Sequence, residues 1–301
     1  MRGWWQDLTD LVLPADCAGC GTPRVALCAG CRAALCGAAP RRVRPAPEPR
    51  GLPVVHAAAP YGDAVRAVLL AHKERGALPL AGVLGEALAG AVRAALREGR
   101  EGRERVPGQG PAGPVLLVPV PSARRAVRSR GHDPVRRIAL AAAGELRSAG
   151  VQASVLCALR QGRAVADQAG LNSRQRQANL AGALEVVAGA GRLLRGAGRV
   201  VVVDDLMTTG ASLTEASRAV GGVCGVHRVG DRQGGGTDDW DGQEAQMAAA
   251  RQMRNRPSCG GGRGGAEVAV NRRAASALAR VNIIHAAVVA ATPASFEINR
   301  N

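Results

Sequence analysis

One stretch of the chain decides its fold, and it reads Val200-Val201-Val202-Val203-Asp204-Asp205-Leu206-Met207-Thr208-Thr209-Gly210-Ala211-Ser212. Four consecutive valines predict a strand buried on both faces, because a strand with one face in water alternates apolar and polar residues. Two carboxylates follow, then a short loop, then a helical pattern over about 211–220. Ligands of open parallel sheets bind beyond the carboxyl ends of the strands. The stretch therefore predicts a parallel sheet with a ligand site after residue 203.

The loop after this strand has the composition of a phosphate site. Glycine lets the backbone approach an anion closely, and the first amides of a helix attract phosphate. Asp204 and Asp205 would repel a bare anion, so we expect them to contact sugar hydroxyls, directly or through Mg²⁺. Phosphoribosyl pyrophosphate (PRPP) combines a 5′-phosphate, ribose hydroxyls and a Mg²⁺-bound pyrophosphate; an ordinary strand–turn–helix is the alternative. The residues expected at the 5′-phosphate are Thr208, Thr209, Gly210, Ala211 and Ser212.

Outside this stretch, helical and strand patterns alternate along the chain. Apolar residues recur at helical spacing in some segments, and others are continuous apolar runs that are typical of buried strands. This alternation predicts an α/β domain with a parallel sheet and helices on both faces. The predicted helices are 63–75, 78–97 and 134–149, and the predicted strands are 115–120, 155–159 and 286–291.

A cluster of cysteines precedes this domain. Cys17 and Cys20 form one Cys-x2-Cys pair, and Cys28 and Cys31 form a second. Each pair places two thiolates close enough to share one tetrahedral Zn²⁺. We therefore expect a structural zinc module over residues 1–36. Cys36 is a fifth thiol that could replace one of the four, and disulfides are the alternative.

The charge of the chain favours anionic partners. Lys and Arg number 40 against 24 Asp and Glu, which gives a formal net charge of +16. Phosphorylated small molecules, nucleic acid and anionic membranes fit such a charge, and an Arg-rich solvated surface is the alternative. The scarcity of aromatic residues argues against base stacking. We see neither an apolar run of about 20 residues nor the apolar core of a signal peptide, so we expect a cytoplasmic protein without a membrane span.

Composition also suggests boundaries within the chain. An Arg- and Pro-rich linker is expected at 37–53, after the cysteine module, and the main domain at 54–224. Residues 225–282 are rich in Gly and lack apolar periodicity, which predicts a disordered segment. A resumed strand and tail are expected at 283–301, so 225–282 is either an insertion or a segment in an altered reading frame.

Several short motifs, in this order, resemble the type I phosphoribosyltransferases and, more closely, the bacterial ComF family, which is named for a role in DNA uptake. The likeness is spread over most of residues 8–220 and ends at the phosphate loop. The other motifs are Leu8-Thr9-Asp10, Cys17-Ala18-Gly19-Cys20-Gly21, Tyr61-Gly62, Lys73, Val118-Pro119-Val120-Pro121, Arg130-Gly131, Gln168-Ala169-Gly170-Leu171, Arg174 and Asn179-Leu180.

The resemblance implies a type I phosphoribosyltransferase-like sheet behind the four-cysteine zinc module, and it implies roles for further residues. Val120, Pro121 and Ser122 would face pyrophosphate, and Arg130 and Arg174 would neutralise its charge. The family usually continues Arg-Gly-Phe-Asn-Gln, whereas this chain has Arg130-Gly131-His132-Asp133-Pro134.

Two functions compete at this stage. In the first, the protein is a phosphoribosyltransferase (a pentosyl-transferring glycosyltransferase) that displaces pyrophosphate from PRPP, with Asp204 and Asp205 as catalytic residues and Mg²⁺ bound with PRPP. In the second, it is a non-catalytic accessory protein of DNA uptake (competence) or DNA processing that binds nucleotides, single-stranded DNA or a helicase.

Overall fold

The computed structural model describes residues 16–101, 113–163, 165, 172–225 and 284–299. These residues form an α/β fold in which helices flank a mostly parallel sheet. The strands are β1 (Arg41–Val43), β2 (Val55–Pro60), β3 (Val115–Pro119), β4 (Ala153–Val155), β5 (Leu159–Gln161), β6 (Leu184–Val186), β7 (Arg199–Met207) and β8 (Ile284–Ala291). The helices are α1 (Ala29–Cys36), α2 (Asp63–Glu74), α3 (Ala81–Glu101), α4 (Arg124–Arg130), α5 (Pro134–Ser148), α6 (Ser173–Leu180), α7 (Ala190–Gly196) and α8 (Ala211–Cys224), with 3-10 turns at Leu78–Leu80 and Pro293–Asn299.

Six strands of the described chain form the main sheet, in the order β1-β2-β8-β7-β3-β4. Strand β1 pairs antiparallel with β2, and the other neighbours pair parallel. Strands β5 and β6 form a separate antiparallel pair. The parallel strands place their carboxyl ends at one edge of the sheet, which is the edge that the sequence predicts for the ligand.

The valines of β7 explain why this strand lies inside the sheet. Val201 and Val203 pack into a core shared with α3 and α5, whereas Val200 and Val202 pack into a core shared with α7 and α8. Successive side chains of a strand point to opposite faces, so a continuous valine run buries both faces at once. The prediction of helices on both faces of the sheet is therefore confirmed.

Two segments differ from the sequence-based expectation. The strand expected at 155–159 is instead the end of β4 and the start of β5, because Leu156, Cys157 and Ala158 connect the main sheet to the small one. The segment 37–53, expected as a linker, contains β1, so the sheet begins before residue 54. The first difference arises because apolar content marks burial but not the sheet in which a strand pairs, whereas β1 is a three-residue basic strand that shows no apolar period.

Residues Leu78–Gly99 are long and apolar enough to cross a membrane by length and composition, with a mean hydropathy of 1.3. This segment corresponds to most of α3, and 56% of its apolar 18-residue window is buried inside the fold. A core helix of a globular domain passes the same test, so the feature is weak evidence for a membrane span. The packing of α3 on β2 and β8 accounts for its apolar residues.

Strand β8 lies between β2 and β7 and includes the run 286–291 that the sequence suggests as a strand. The preceding segment, expected to be disordered over 225–282, lies outside the described residues except for Gly225, which ends α8 in a left-handed conformation. The sheet is therefore completed by chain that follows this long segment.

Candidate functional site

The two acids lie within β7 rather than after it, since the strand continues to Met207. Their side chains alternate across the sheet, and both residues are buried, with 9% of Asp204 and 5% of Asp205 exposed. Val120 lies alongside, because its amide donates to the carbonyl of Val203 at 2.9 Å. The loop that begins at Val120 and includes Pro121 and Ser122 therefore lies beside the acids at the carboxyl edge, as its position after a neighbouring parallel strand predicts.

Lys73, from the last turn of α2, neutralises one of the acids. Its Nζ lies 2.7 Å from Oδ2 of Asp205. Burial acts to lower the pKa of Lys73, but the charge of Asp205 and the hydrogen bond to it outweigh burial and raise that pKa. Burial raises the pKa of Asp204 well above its usual range, and the neighbouring Asp205 charge adds to this. The site thus holds one firmly paired carboxylate and a second carboxyl group that resists ionisation.

The loop between β7 and α8 turns at Gly210. This residue has φ +76 and occupies the N-cap of α8, and its carbonyl accepts from the amide and the hydroxyl of Thr214 at 2.9 and 3.0 Å. A Cβ at position 210 would lie 3.0 Å from Cδ1 of Leu52. Gly210 is thus favoured both by its left-handed backbone and by a close contact. Ala211 and Ser212 form the first helical turn, whose amides have no partners within the helix and can bind an anion.

An arginine that the sequence analysis does not name lies at this loop. Arg176 of α6 directs Nη1 to the hydroxyl of Thr208 at 3.4 Å, and its Nε is buried without a hydrogen-bond partner among the described residues. Arg174, the expected pyrophosphate ligand on this helix, is exposed. The helix begins at a capping box of Asn172 and Gln175. That start fixes the helix phase, so residues 174 and 176 lie about 200° apart around the axis.

Arg130 is paired on the protein itself. Its Nε and Nη2 donate to the two carboxylate oxygens of Glu74 at 2.9 and 2.8 Å. Ser122 donates to Oδ1 of Asp133 at 3.4 Å, and the same oxygen accepts from the amide of Arg136 at 3.2 Å, so Asp133 caps α5. These contacts hold the two expected pyrophosphate segments close to α2 and α5.

His132, where the chain departs from the family pattern, packs on a second histidine. The ring centroids of His132 and His72 are 5.9 Å apart in an edge-on arrangement. His72 is buried beside the carbonyls of Ala77 and Pro134, and burial lowers its pKa. The pair packs the turn before α5 against the end of α2, immediately behind Lys73.

The four cysteines predicted as metal ligands come together. Their Sγ atoms all lie within 4.8 Å of one another, and Cys20 and Cys28 are 3.6 Å apart. A tetrahedral zinc with Zn–S bonds of about 2.3 Å places its sulfurs about 3.8 Å apart, so the cluster can hold a metal such as zinc. Cys36 is not in the cluster, since its Sγ lies 3.7 Å from the carbonyl oxygen of Val83.

Backbone amides prepare part of this cluster to bind a cation. Burial acts to raise the pKa of Cys17, but the amides of Cys28, Cys20 and Gly19 outweigh burial and lower it to about 6. The hydroxyl and amide of Thr22 lower the pKa of Cys20. Burial and the neighbouring thiols raise the pKa of Cys31, so this thiol is the one that most needs a metal to become a thiolate.

The cysteine segment packs directly on the α/β domain. Leu35 of α1 is 1% exposed and lies in the same core as Val65 and Val68 of α2. A Cβ on Gly19 would lie 2.6 Å from Sγ of Cys31, so the first knuckle requires glycine. Arg32 also pairs with Glu86 of α3. The cysteine cluster and the domain core are therefore contiguous.

No protein-family model matches the chain, and no curated protein matches it. A functional proposal therefore rests on the residues of the two sites.

Proposed function

We propose that this protein binds PRPP at the carboxyl edge of its sheet and transfers the phosphoribosyl group with release of pyrophosphate, as a type I phosphoribosyltransferase-like member of the ComF family. The single observation that carries the proposal is the segment from Asp204 to Ser212. Two buried acids there are followed by a left-handed glycine at the N-cap of a helix. Such a segment offers carboxyl oxygens that accept from sugar hydroxyls and backbone amides that bind a phosphate. The two are close enough for one ligand to contact both.

In this proposal the 5′-phosphate lies on the first amides of α8, with Thr208, Thr209 and Ser212 as further donors. Arg176 adds a guanidinium, because it already reaches Thr208 and retains a buried Nε without a partner among the described residues. The ribose hydroxyls face Asp204 and Asp205. Pyrophosphate extends towards the loop of Val120 to Ser122, and Mg²⁺ arrives with it.

The chemical step is the departure of pyrophosphate from the anomeric carbon as an acceptor approaches. The sugar becomes positively charged in the transition state, and a buried carboxylate next to the ribose stabilises that charge. The remaining contribution of the protein is positioning of the two ends of PRPP. The cysteine metal has no part in this step, because four thiolates saturate a tetrahedral zinc.

The test is calorimetric titration of PRPP with Mg²⁺ into zinc-loaded protein, followed by a pyrophosphate-release assay with mixed nucleobases and amines as acceptors. We expect saturable binding of one PRPP per chain. Absence of binding at millimolar PRPP would refute the proposal.

A second candidate function is binding of single-stranded DNA or a helicase during DNA uptake. The observation that favours it is a set of exposed arginines on helices near the carboxyl edge: Arg125, Arg128, Arg136, Arg137 and Arg174. Phosphate contacts of this kind weaken steeply with salt. Salt-dependent binding of an oligonucleotide by a protein that fails to bind PRPP would place this function first.

A further inference from the structure

The chain contains a single lysine among 40 basic residues, and the other 39 are arginines. A composition biased so strongly towards arginine makes the one lysine conspicuous. Lys73 lies at the candidate site, with Nζ 2.7 Å from Oδ2 of Asp205. The two basic side chains differ in chemistry, since an ammonium group is a compact point charge and a guanidinium is a planar fork.

The surroundings of Lys73 define what its ammonium group does. The side chain of Asp205 is 7% exposed, whereas that of Lys73 is 34% exposed, so the buried carboxylate is paired with a side chain that reaches solvent. Oδ1 of Asp204 already accepts the amide of Asp205 at 2.9 Å. The neighbouring Glu74 holds Arg130 through both carboxylate oxygens, so the hydrogen bonds of that guanidinium go to Glu74.

A divalent cation bound to Oδ2 of Asp205 would have to displace this ammonium, which lies 2.7 Å from that oxygen. Mg²⁺ requires octahedral oxygen ligands at about 2.0–2.1 Å. One oxygen of Asp205 is taken by Lys73 and one oxygen of Asp204 by a backbone amide. Each acid thus has one oxygen already in a hydrogen bond, and the charge of Asp205 already has a cation beside it.

We propose that Lys73 is the resident cation of the acid pair, and that it holds Asp205 towards the ribose hydroxyls with no divalent metal on either carboxylate. This inference rests on the proposed PRPP site. An arginine at position 73 would engage both oxygens of Asp205 through its fork. The ammonium contacts one oxygen, so the sugar can compete for the carboxylate. Lys73 is in this sense a positioning residue.

The inference predicts that removing the lysine creates a metal site. We would titrate Mn²⁺ alone into zinc-loaded protein and follow free Mn²⁺ by electron paramagnetic resonance. The wild type should show no site at the acids. Lys73→Met should bind one Mn²⁺ at least roughly tenfold more tightly, because the buried carboxylate of Asp205 loses its counter-ion. Lys73→Met combined with Asp205→Asn should lose this site again.

The wild-type protein provides a second test that requires no change at position 73. Amine acylation followed by mass spectrometry reports on Lys73 separately from the N-terminal amine, since no other lysine is present. Asp205→Asn should accelerate acylation of Lys73 by roughly tenfold, and Mn²⁺ should leave wild-type acylation unchanged. Faster acylation with Mn²⁺ would mean that metal displaces the lysine and would overturn the inference.

PRPP titrations separate this inference from the proposed function. Lys73→Met and Lys73→Arg should each weaken PRPP binding by roughly ten- to a hundredfold at fixed Mg²⁺. Equal binding by wild type and both variants would overturn the role of Lys73 and leave the PRPP site standing. Absence of binding by the wild type would refute the PRPP site, whereas the Mn²⁺ and acylation results would still decide which cation the acids hold.

Discussion

The cysteine cluster and the acid pair both gather groups that form anions, but they differ in how the charge is compensated. The four thiols lie within 4.8 Å of one another, and no basic side chain is in hydrogen-bond contact with them among the described residues. The two acids have Lys73 at 2.7 Å. The first cluster therefore requires a cation from outside the chain, and the second carries its own.

Under the proposed function, this difference separates a structural site from a ligand site. Four sulfurs around a metal form a closed coordination shell, which stabilises a fold but offers no position to a substrate. A carboxylate held by one lysine can exchange part of its contacts for a sugar hydroxyl. Substituting one residue of each site in turn should distinguish compensation by a metal from compensation by a lysine. We expect the largest effect from the loss of a cysteine ligand.

Loss of a cysteine ligand should have the largest effect. Cys31→Ser should reduce bound zinc from one equivalent to less than half and lower the Tm markedly, because structural zinc contributes directly to folding and Leu35 joins α1 to the domain core. Elemental analysis and thermal melts provide the measurements. Cys36→Ser is the matched control and should keep its zinc, since Cys36 lies outside the cluster. Equal zinc loss in both variants would assign Cys36 to the site.

Substitution of the loop glycine should abolish PRPP binding. Gly210→Val places a branched side chain at φ +76, next to Leu52 and over the phosphate cradle. We expect an affinity loss of more than about a hundredfold by calorimetry. Gly189→Val is the matched control, because Gly189 also caps a helix with a left-handed backbone, at φ +85, and has open space around it. Comparable losses in both variants would indicate general strain rather than a phosphate site.

Neutralising either acid should weaken PRPP binding less than the loop variant does. Asp204→Asn and Asp205→Asn remove a contact to ribose but retain the phosphate cradle, so we expect losses of roughly ten- to a hundredfold. Glu185→Gln, an exposed acid on β6 that pairs with Arg160, should bind PRPP like the wild type. Unchanged affinity in both site variants would remove the acids from the binding site.

The smallest effect should come from a third cluster, formed by His56, Glu98 and His285. It contains neither a metal site nor a contact that a ligand could replace. His56 donates to Glu98 at 2.8 Å, and His285 lies beside it with Nδ1 buried and unpartnered in the described chain. Burial lowers the pKa of both histidines. The charges of Arg42 and Arg97 lower the pKa of His56 further, and those of His56 and Arg199 lower the pKa of His285. Glu98 acts in the opposite direction on both. Their folded pKa values lie below the unfolded value of about 6.5. The free energy of unfolding is therefore unaffected by these histidines above that pH, and it decreases as pH falls because protonation favours the unfolded chain.

The measurement is the difference in unfolding free energy between wild type and His285→Leu from pH 8 to pH 5. Asp204 has a raised pKa and acts with the opposite sign, and the difference cancels its effect. The wild type should lose stability relative to the variant below about pH 6.5, by about 1.4 kcal/mol for each unit of pKa depression. Parallel pH profiles would show that His285 titrates normally.

Much of the layout of the fold could be predicted because several of its elements have a local cause. The valines of β7, the glycine at 210 and the proline that starts α5 act within a few residues of themselves. Strand β1 could not be predicted, because three residues in a basic, proline-rich segment give no period, and its pairing with β2 depends on the sheet edge. The division of 155–159 between two sheets could not be predicted either, because it also depends on which strands pair.

The acids and the glycine loop of the candidate site could be picked out from the sequence, but the ion pairs around them could not. Lys73 and Asp205 are 132 positions apart in sequence, and nothing local to either indicates the other. The choice between Arg174 and Arg176 depends on where α6 begins, and the Asn172 cap could have supplied that phase. The resemblance implies a pyrophosphate contact for Arg130, but its pairing with Glu74 is a tertiary contact that the sequence does not indicate.

Strand β8 has a consequence for synthesis of the protein. It fills the centre of the sheet, between β2 and β7, yet it is made after residue 283. Until the ribosome has released that segment, β2 and β7 each present an unpaired edge, and such edges pair readily with other chains. The nascent protein therefore passes through an interval with an open gap in its sheet. A chain that stops at residue 225 would retain the phosphate loop, but without the strand beside it such a chain should aggregate rather than bind.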